Sequence, residues 1–267
     1  MSELEALKER QRKTWASGDY ARIAWLTVPL ADALCDAAEL RPGSTVLDVA
    51  TGTGHVALAA ARRFCHVTGI DYVPALLDRA RRRAGAEDLE IDFREADAEN
   101  LPFPDASFDY VLSAIGVMFT ADHQRAADEL LRVCRRGGRV ATASWTPAGF
   151  VGGMLKVVGR YAPPPPGALP PTRWGTEETM LDLLDEGCQE VTFTNATVTQ
   201  RFLSPEHYAD FFLEHYGPTV KAAERLGEEE RRAFHRDLII LAEQSNRATD
   251  GTLVHDWDYL ITVATRA

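Results

Sequence analysis

The period of the apolar positions divides the chain into regions. From about residue 40 to 145, short apolar runs alternate with segments whose apolar residues recur every three or four positions. Parallel βαβ units produce this alternation. The runs predict strands at Thr45–Val49, His66–Asp71, Leu89–Glu95, Tyr110–Ala114 and Arg139–Ser144. The periodic segments predict helices at His55–Arg63, Pro74–Ala84 and His123–Cys134. Pro74 suits a first helical turn, where a missing N–H costs nothing. Gly137-Gly138 reads as a flexible stop before the fifth strand.

The flanks read differently. The first fifteen residues, MSELEALKERQRKTW, have the pattern of a charged helix. After Trp145 a short helix precedes YAPPPPGALPP, Tyr161 to Pro171, a stiff loop. Thr176 reads as the N-cap of a helix reaching about Glu186. Glu190 to Phe202 reads as a strand rich in Val, Thr and Phe. Ser204-Pro205 starts a helix with Tyr208, Phe211, Phe212 and His215 on one face. Asp258 to Thr265 is an apolar strand. The expected division is 1–40, N-terminal helices over a site; 41–146, the alternating core; 147–267, the last strands with an inserted helical lobe.

Charge narrows the partners. The 267 residues carry 29 basic and 40 acidic side chains, a net charge of −11, which opposes a nucleic-acid substrate. Arg79 and Arg81 to Arg83 read as the solvated end of a helix. Cys35, Cys65, Cys134 and Cys188 stand singly, with no metal-ligand spacing, so neither zinc nor disulfides are expected. No apolar run reaches the length of a membrane span and no secretory signal is visible, so a cytoplasmic protein without membrane contact is expected.

The chemistry concentrates in VLDVATGTGHVAL, Val46 to Leu58. Val46, Leu47 and Val49 predict a buried strand, and Gly52 and Gly54 a tight turn into a helix whose N-terminus offers free N–H groups. That arrangement places a nucleotide-like ligand at the carboxyl edge of a parallel sheet. Gly52-x-Gly54-x-x-Ala57, with Asp71 ending the next strand, also fits a nicotinamide-dependent oxidoreductase. Asp48 separates the two readings. A carboxylate four residues before Gly52 repels a diphosphate but attracts a sulfonium and an ammonium.

The same stretch resembles motif I of the class I S-adenosylmethionine-dependent methyltransferases, in the group that includes the quinone-biosynthesis enzymes. GIDYVPALL (Gly69–Leu77), ADAENLPFPDASFDYVLS (Ala96–Ser113) and ELLRVCRRGGRV (Glu129–Val140) continue the resemblance in order. It implies a Rossmann-like α/β fold: a seven-stranded sheet, mostly parallel with an antiparallel last strand, helices on both faces, and a helical substrate lobe. By resemblance, Asp48 anchors the methionine end of S-adenosyl-L-methionine, with Ala50, Thr51, Gly52 and Gly54 presenting backbone to it. Asp71 accepts from the ribose hydroxyls and Tyr72 packs on the adenine. Asp97 accepts from the adenine amino group, the Ala98 N–H meets a ring nitrogen, and Ala114 and Ile115 line the methionine side. Ala50 departs from the glycine usual in the family, so a slight local adjustment is expected.

The resemblance implies methyl transfer to an O, N or C atom of a small molecule, leaving S-adenosyl-L-homocysteine. SAIGVMFT, Ser113 to Thr120, lacks the Asn/Asp-Pro-Pro-aromatic sequence of exocyclic-amine nucleobase enzymes. No Pro-Cys nucleophile is present, and Cys134 is expected in a helix. No acidic metal cluster is evident. Candidate acceptor-pocket residues are Trp15, Tyr20, Met118, Phe119, Trp145, Phe150, Trp174, Tyr208, Phe211 and Phe212. His55 and His123 follow strands at their carboxyl ends, but no residue is singled out as a base. The sequence leaves open a non-catalytic cofactor-binding protein, and either a monomer or a homodimer.

Overall fold

The structure, a computed structural model, describes residues 3–165, 167–184 and 187–267. Among them, strands β1 (Thr45–Val49), β2 (His66–Asp71), β3 (Ile91–Glu95), β4 (Phe108–Ala114), β5 (Cys134–Trp145), β6 (Cys188–Phe202) and β7 (Leu253–Arg266) form one sheet in the order β3-β2-β1-β4-β5-β7-β6. The first five strands pair in parallel, and β7 runs antiparallel between β5 and β6. This is the Rossmann-like architecture that the alternation of apolar periods implies.

The helices are α1 (Glu3–Trp15), α2 (Tyr20–Ala24), α3 (Val28–Ala37), α4 (His55–Ala61), α5 (Pro74–Ala86), α6 (His123–Val133), α7 (Phe150–Tyr161), α8 (Glu177–Leu184), α9 (Pro205–His215), α10 (Gly217–Ala223) and α11 (Glu228–Ser245). They cover both faces of the sheet. Trp145 of β5 shares a face with Trp257 and Tyr259 of β7, and Phe150 of α7 stacks on Trp257 there. Helices α6 and α8 pack on the opposite face.

Caps mark several helix starts. The Asp122 side chain accepts from Arg125 N–H at the start of α6, and the Ser204 side chain from His207 N–H at the start of α9. Thr176 Oγ1 accepts from Thr179 N–H at 3.4 Å, at the helix start expected there. The far limit expected for that helix, Glu186, lies outside the described residues.

One expectation fails on α6 and β5. The helix ends at Val133, and Cys134 is the first residue of β5. Gly137-Gly138 lies inside that strand and does not precede it. The physical reason is close packing: a Cβ on Gly138 would stand 2.6 Å from the Asp109 carbonyl oxygen, so glycine lets the new strand press against β4.

All four cysteines are free. Burial pushes the Cys35 and Cys134 thiols up to about 12. No helix among the described residues is long and apolar enough to cross a membrane.

Candidate functional site

The strand order reverses between β1 and β4, and a crevice opens at their carboxyl ends. The turn after β1 is held by two carboxylates. Asp48, 1% exposed, accepts from Thr51 Oγ1 at 2.5 Å and from Ala57 N–H at 2.9 Å, tying the turn to the first turn of α4. Asp71, at the end of β2, accepts from Gly52 N–H at 2.9 Å and from Val73 N–H at 2.9 Å. Burial pushes Asp48 up to about 7, against its bonds to Thr51 and Ala57. Burial likewise pushes Asp71 up to about 6, against its backbone donors.

Left-handed backbone makes the turn tight. Ala50, Gly52 and Gly54 have φ of 55°, 55° and 86°. Ala50 holds a conformation that favours glycine, which its place in the tight turn requires. Gly116 is packed against it: a Cβ there would stand 2.5 Å from Ala50 Cβ and 2.7 Å from Ala50 O.

A cavity lies over this turn. Its floor is Ala50, Gly52, Ile115 and Gly116; one end is Tyr72, Leu76, Asp97, Ala98 and Glu99. Of the residues singled out in the sequence, Ala50, Gly52, Asp71, Tyr72, Asp97, Ala98 and Ile115 face it together. Asp48, Thr51, Gly54 and Ala114 are not in its wall. Asp48 and Thr51 bond to each other behind the turn, and Gly54 sits where a Cβ would meet Leu58 and Ala80.

Helix α1 forms the roof. Lys8 Nζ pairs with Asp97 at 2.6 Å and Glu99 at 2.7 Å, while Arg12 pairs with Glu95 at 2.8 Å. Gln11 Nε2 donates to the Phe119 carbonyl at 3.0 Å. Trp15 meets Tyr20, Phe119 and Tyr216 edge to face, at centroid distances of 5.5, 4.8 and 5.9 Å. Burial, with Asp71 nearby, pushes the Tyr20 hydroxyl up to about 12.

Of the ten aromatic and Met candidates for an acceptor pocket, Trp15, Tyr20 and Phe119 line the cavity. Met118, Trp145, Phe150, Trp174, Tyr208 and Phe212 are buried, and Phe211 stacks on Trp25. The described residues of the Pro163–Pro166 loop contribute nothing to the wall. His55 and His123 are outside it too. Burial, followed by a neighbouring arginine, lowers His55 to about 3 and His123 to about 4, so both are neutral.

Sequence reasoning missed Lys8, Gln11, Glu99, Gly116 and Thr120. Lys8, Gln11 and Trp15 share one helical face by spacing, a signal that needs the acidic segment opposite to acquire meaning. The wall carries the carboxylates of Asp71, Asp97 and Glu99 against the single ammonium of Lys8. Such a cavity favours a ligand bearing positive charge. Among the described residues, no group of three His, Cys, Asp or Glu could hold a metal ion.

A profile described as "Methyltransferase domain" matches residues 47–142. An uncharacterized protein of Mycobacterium tuberculosis is 41% identical over 266 residues, 98% of this chain and 96% of the relative. The demethylmenaquinone methyltransferase of Deinococcus radiodurans is 42% identical over 128 residues, 46% of this chain and 53% of that enzyme. Among solved structures, the YcgJ protein of Bacillus subtilis superposes with a TM-score of 0.58 at 18% identity, covering 89% of this chain and 98% of that one.

Proposed function

We propose that this chain, which belongs to the class I S-adenosylmethionine-dependent methyltransferases, transfers a methyl group from S-adenosyl-L-methionine to an oxygen, nitrogen or carbon atom of a small molecule. The observation that carries the reading is the juxtaposition of the glycine turn, Asp71 and the Asp97-Ala98 segment around one electronegative cavity. The demethylmenaquinone methyltransferase among the partial relatives supports a small-molecule acceptor.

In this reading Asp71 accepts from the ribose hydroxyls, and Tyr72 packs on the adenine. Asp97 accepts from the adenine amino group, and the Ala98 N–H donates to a ring nitrogen. Ala50, Gly52 and Ile115 border the methionine end, with Ala114 behind them. Asp48, Thr51 and Gly54 serve the site by shaping the turn, and the negative charge of Asp48 reaches a cation through it. S-adenosylmethionine supplies an activated methyl group on a sulfonium that becomes a neutral thioether. The chain's own contribution is alignment and exclusion of water, through the roof of α1 and the Trp15–Phe119 contact.

The acceptor enters beside Trp15, Tyr20, Gly116 and Phe119. The cavity-facing side chains there are mainly aromatic, so positioning of the acceptor leads, and no residue is assigned as a base. Residues 1–40 cover the cofactor, 41–146 bind it and 147–267 complete the sheet and the acceptor side. The protein works in the cytoplasm as a monomer or homodimer.

Isothermal titration with S-adenosylmethionine and S-adenosylhomocysteine tests the proposal. Saturable binding of both is expected; no heat from either overturns it. Fluorescence titration with NADH, expected to show no binding, separates it from the oxidoreductase reading.

A further inference from the structure

Asp97 and Glu99 are two carboxylates two residues apart at one end of the cavity, and Glu99 is almost wholly buried, at 4% exposure. Glu99 Oε1 accepts from Ala121 and Asp122 N–H at 2.7 and 3.1 Å, fixing the loop before α6. Its other oxygen has Lys8 within 2.7 Å. Asp97 Oδ1 accepts from Glu99 N–H at 2.9 Å, and its Oδ2 is met by Lys8 at 2.6 Å. Lys8 is therefore the cation that α1 inserts between a buried acid, Glu99, and a partly exposed one, Asp97. Removing it leaves two neighbouring negative charges, one of them buried, without a counter-ion.

Each carboxylate oxygen has two acceptor positions. An adenine amino group and Lys8 can therefore share Asp97, while Glu99 keeps Lys8 in place.

We propose that Lys8 is a positioning residue that holds α1 shut over the bound nucleoside and sets the rate at which cofactor and product leave. The inference rests on the cofactor assignment above. Lys8 clamps the adenine end through Asp97 and Glu99. Gln11 and Trp15, one and two turns further along the helix, close the other end on Phe119 and Tyr20. Breaking the Lys8 contact frees the amino-terminal half of the helix while Trp15 remains packed.

The test is stopped-flow release of S-adenosylhomocysteine, followed through tryptophan fluorescence, in the full-length protein. Lys8→Met is expected to speed release about tenfold and leave the association rate within about threefold. Lys8→Arg, which keeps the charge, is expected to restore slow release. Raising sodium chloride from about 0.05 to 0.5 M should speed release from the native protein more than from Lys8→Met, which keeps the exposed Arg12–Glu95 pair on α1 but loses the Lys8 pairs. Hydrogen exchange gives a second readout: bound S-adenosylhomocysteine should slow exchange of residues 5–12 in the native protein and much less in Lys8→Met.

Release from Lys8→Met at the native rate, with native salt dependence, overturns the assignment to Lys8. Failure of the native protein to bind S-adenosylhomocysteine overturns the cofactor reading itself, so the two failures are distinguishable. Circular dichroism of Lys8→Met checks the fold. If that variant is unfolded, Glu99→Gln provides the reciprocal test: it leaves Lys8 paired with Asp97 alone, so faster release with a reduced salt dependence is expected, and native release with native salt dependence overturns the proposal.

Discussion

The Asp71 carboxylate receives the Gly52 N–H at 2.9 Å, joining the end of β2 to the glycine turn that follows β1. One side chain therefore braces the turn and faces the cavity that the turn borders. Asp71→Ala removes both functions. A charge-assisted hydrogen bond contributes about 1.5–3 kcal/mol, so the dissociation constant for S-adenosylhomocysteine should rise roughly 10- to 150-fold. Calorimetry checks the affinity, and thermal melting should show a lower midpoint even without ligand.

Acid should weaken binding through the same carboxylate. Burial holds Asp71 near 6 and Asp48 near 7, so both take up protons as pH falls from 8 to 5. Ribose hydroxyls donate to the ionised carboxylate, and a sulfonium is attracted by negative charge. The ligand-bound state therefore holds fewer protons than the free one, and affinity is greatest above these values and declines below them. S-adenosylmethionine, with its extra positive charge, should lose more affinity than S-adenosylhomocysteine. Titrations at pH 8, 7, 6 and 5 with both ligands check this; equal or opposite trends contradict it.

Ala50 and Gly116 are matched in shape. Gly116→Ala places a methyl group where Ala50 Cβ and O already stand. Overpacking of this kind costs about 1–3 kcal/mol, and the displaced backbone lies in the cavity floor, so melting temperature and cofactor affinity should fall together. Adding Ala50→Gly removes the Cβ clash but not the contact with Ala50 O. The double variant should recover part of the loss, as a double-mutant cycle will measure.

Arg132 staples the segment beyond the cavity's acidic end. It pairs with Glu129 through two 2.7 Å bonds and donates to Asp105 and to the carbonyls of Leu101 and Phe103. Glu129 in turn accepts from Leu101 N–H at 2.7 Å. Arg132→Met leaves the buried Glu129 without its counter-ion. After discounting for partial solvent exposure the cost is about 2 kcal/mol, or roughly 4–8 °C in melting temperature. Calorimetric scanning of Arg132→Met, with Arg132→Lys as the partial rescue, checks the value.

Much of this was legible in the sequence, for reasons that differ by element. The strand at His66–Asp71 and the helix starts at His55, Pro74 and His123 follow from local signals: apolar runs, a proline in a first turn, capping side chains. Asp71 and Ala50 were legible because their positions relative to the turn restrict what they can do. The β5 start was not. Gly137-Gly138 reads locally as a break, but the strand continues through it as an irregularity packed on Asp109, between the Cys134 and Arg139 pairings with β4.

The roof was illegible for another reason. Lys8 lies 89 positions from its partner Asp97, and nothing in the local pattern of α1 names an acidic segment so distant. The Tyr208–Phe212 stripe shows the converse problem. A helical aromatic face says that something is covered, and here it is the protein's own core, with Tyr208 and Phe212 packed against Phe202 of β6.

The placement of β7 between β5 and β6 has a consequence for synthesis on the ribosome. All of β1 to β5 emerges before the strand that covers the outer edge of β5, and β6 emerges with no partner at all. From the appearance of Trp145 until Leu253 to Arg266 is made, the nascent chain exposes an unpaired apolar sheet edge, the kind of surface that recruits other strands. Completion of the fold therefore waits on those fourteen residues, whose strand closes the β5 edge and gives β6 its partner in one step.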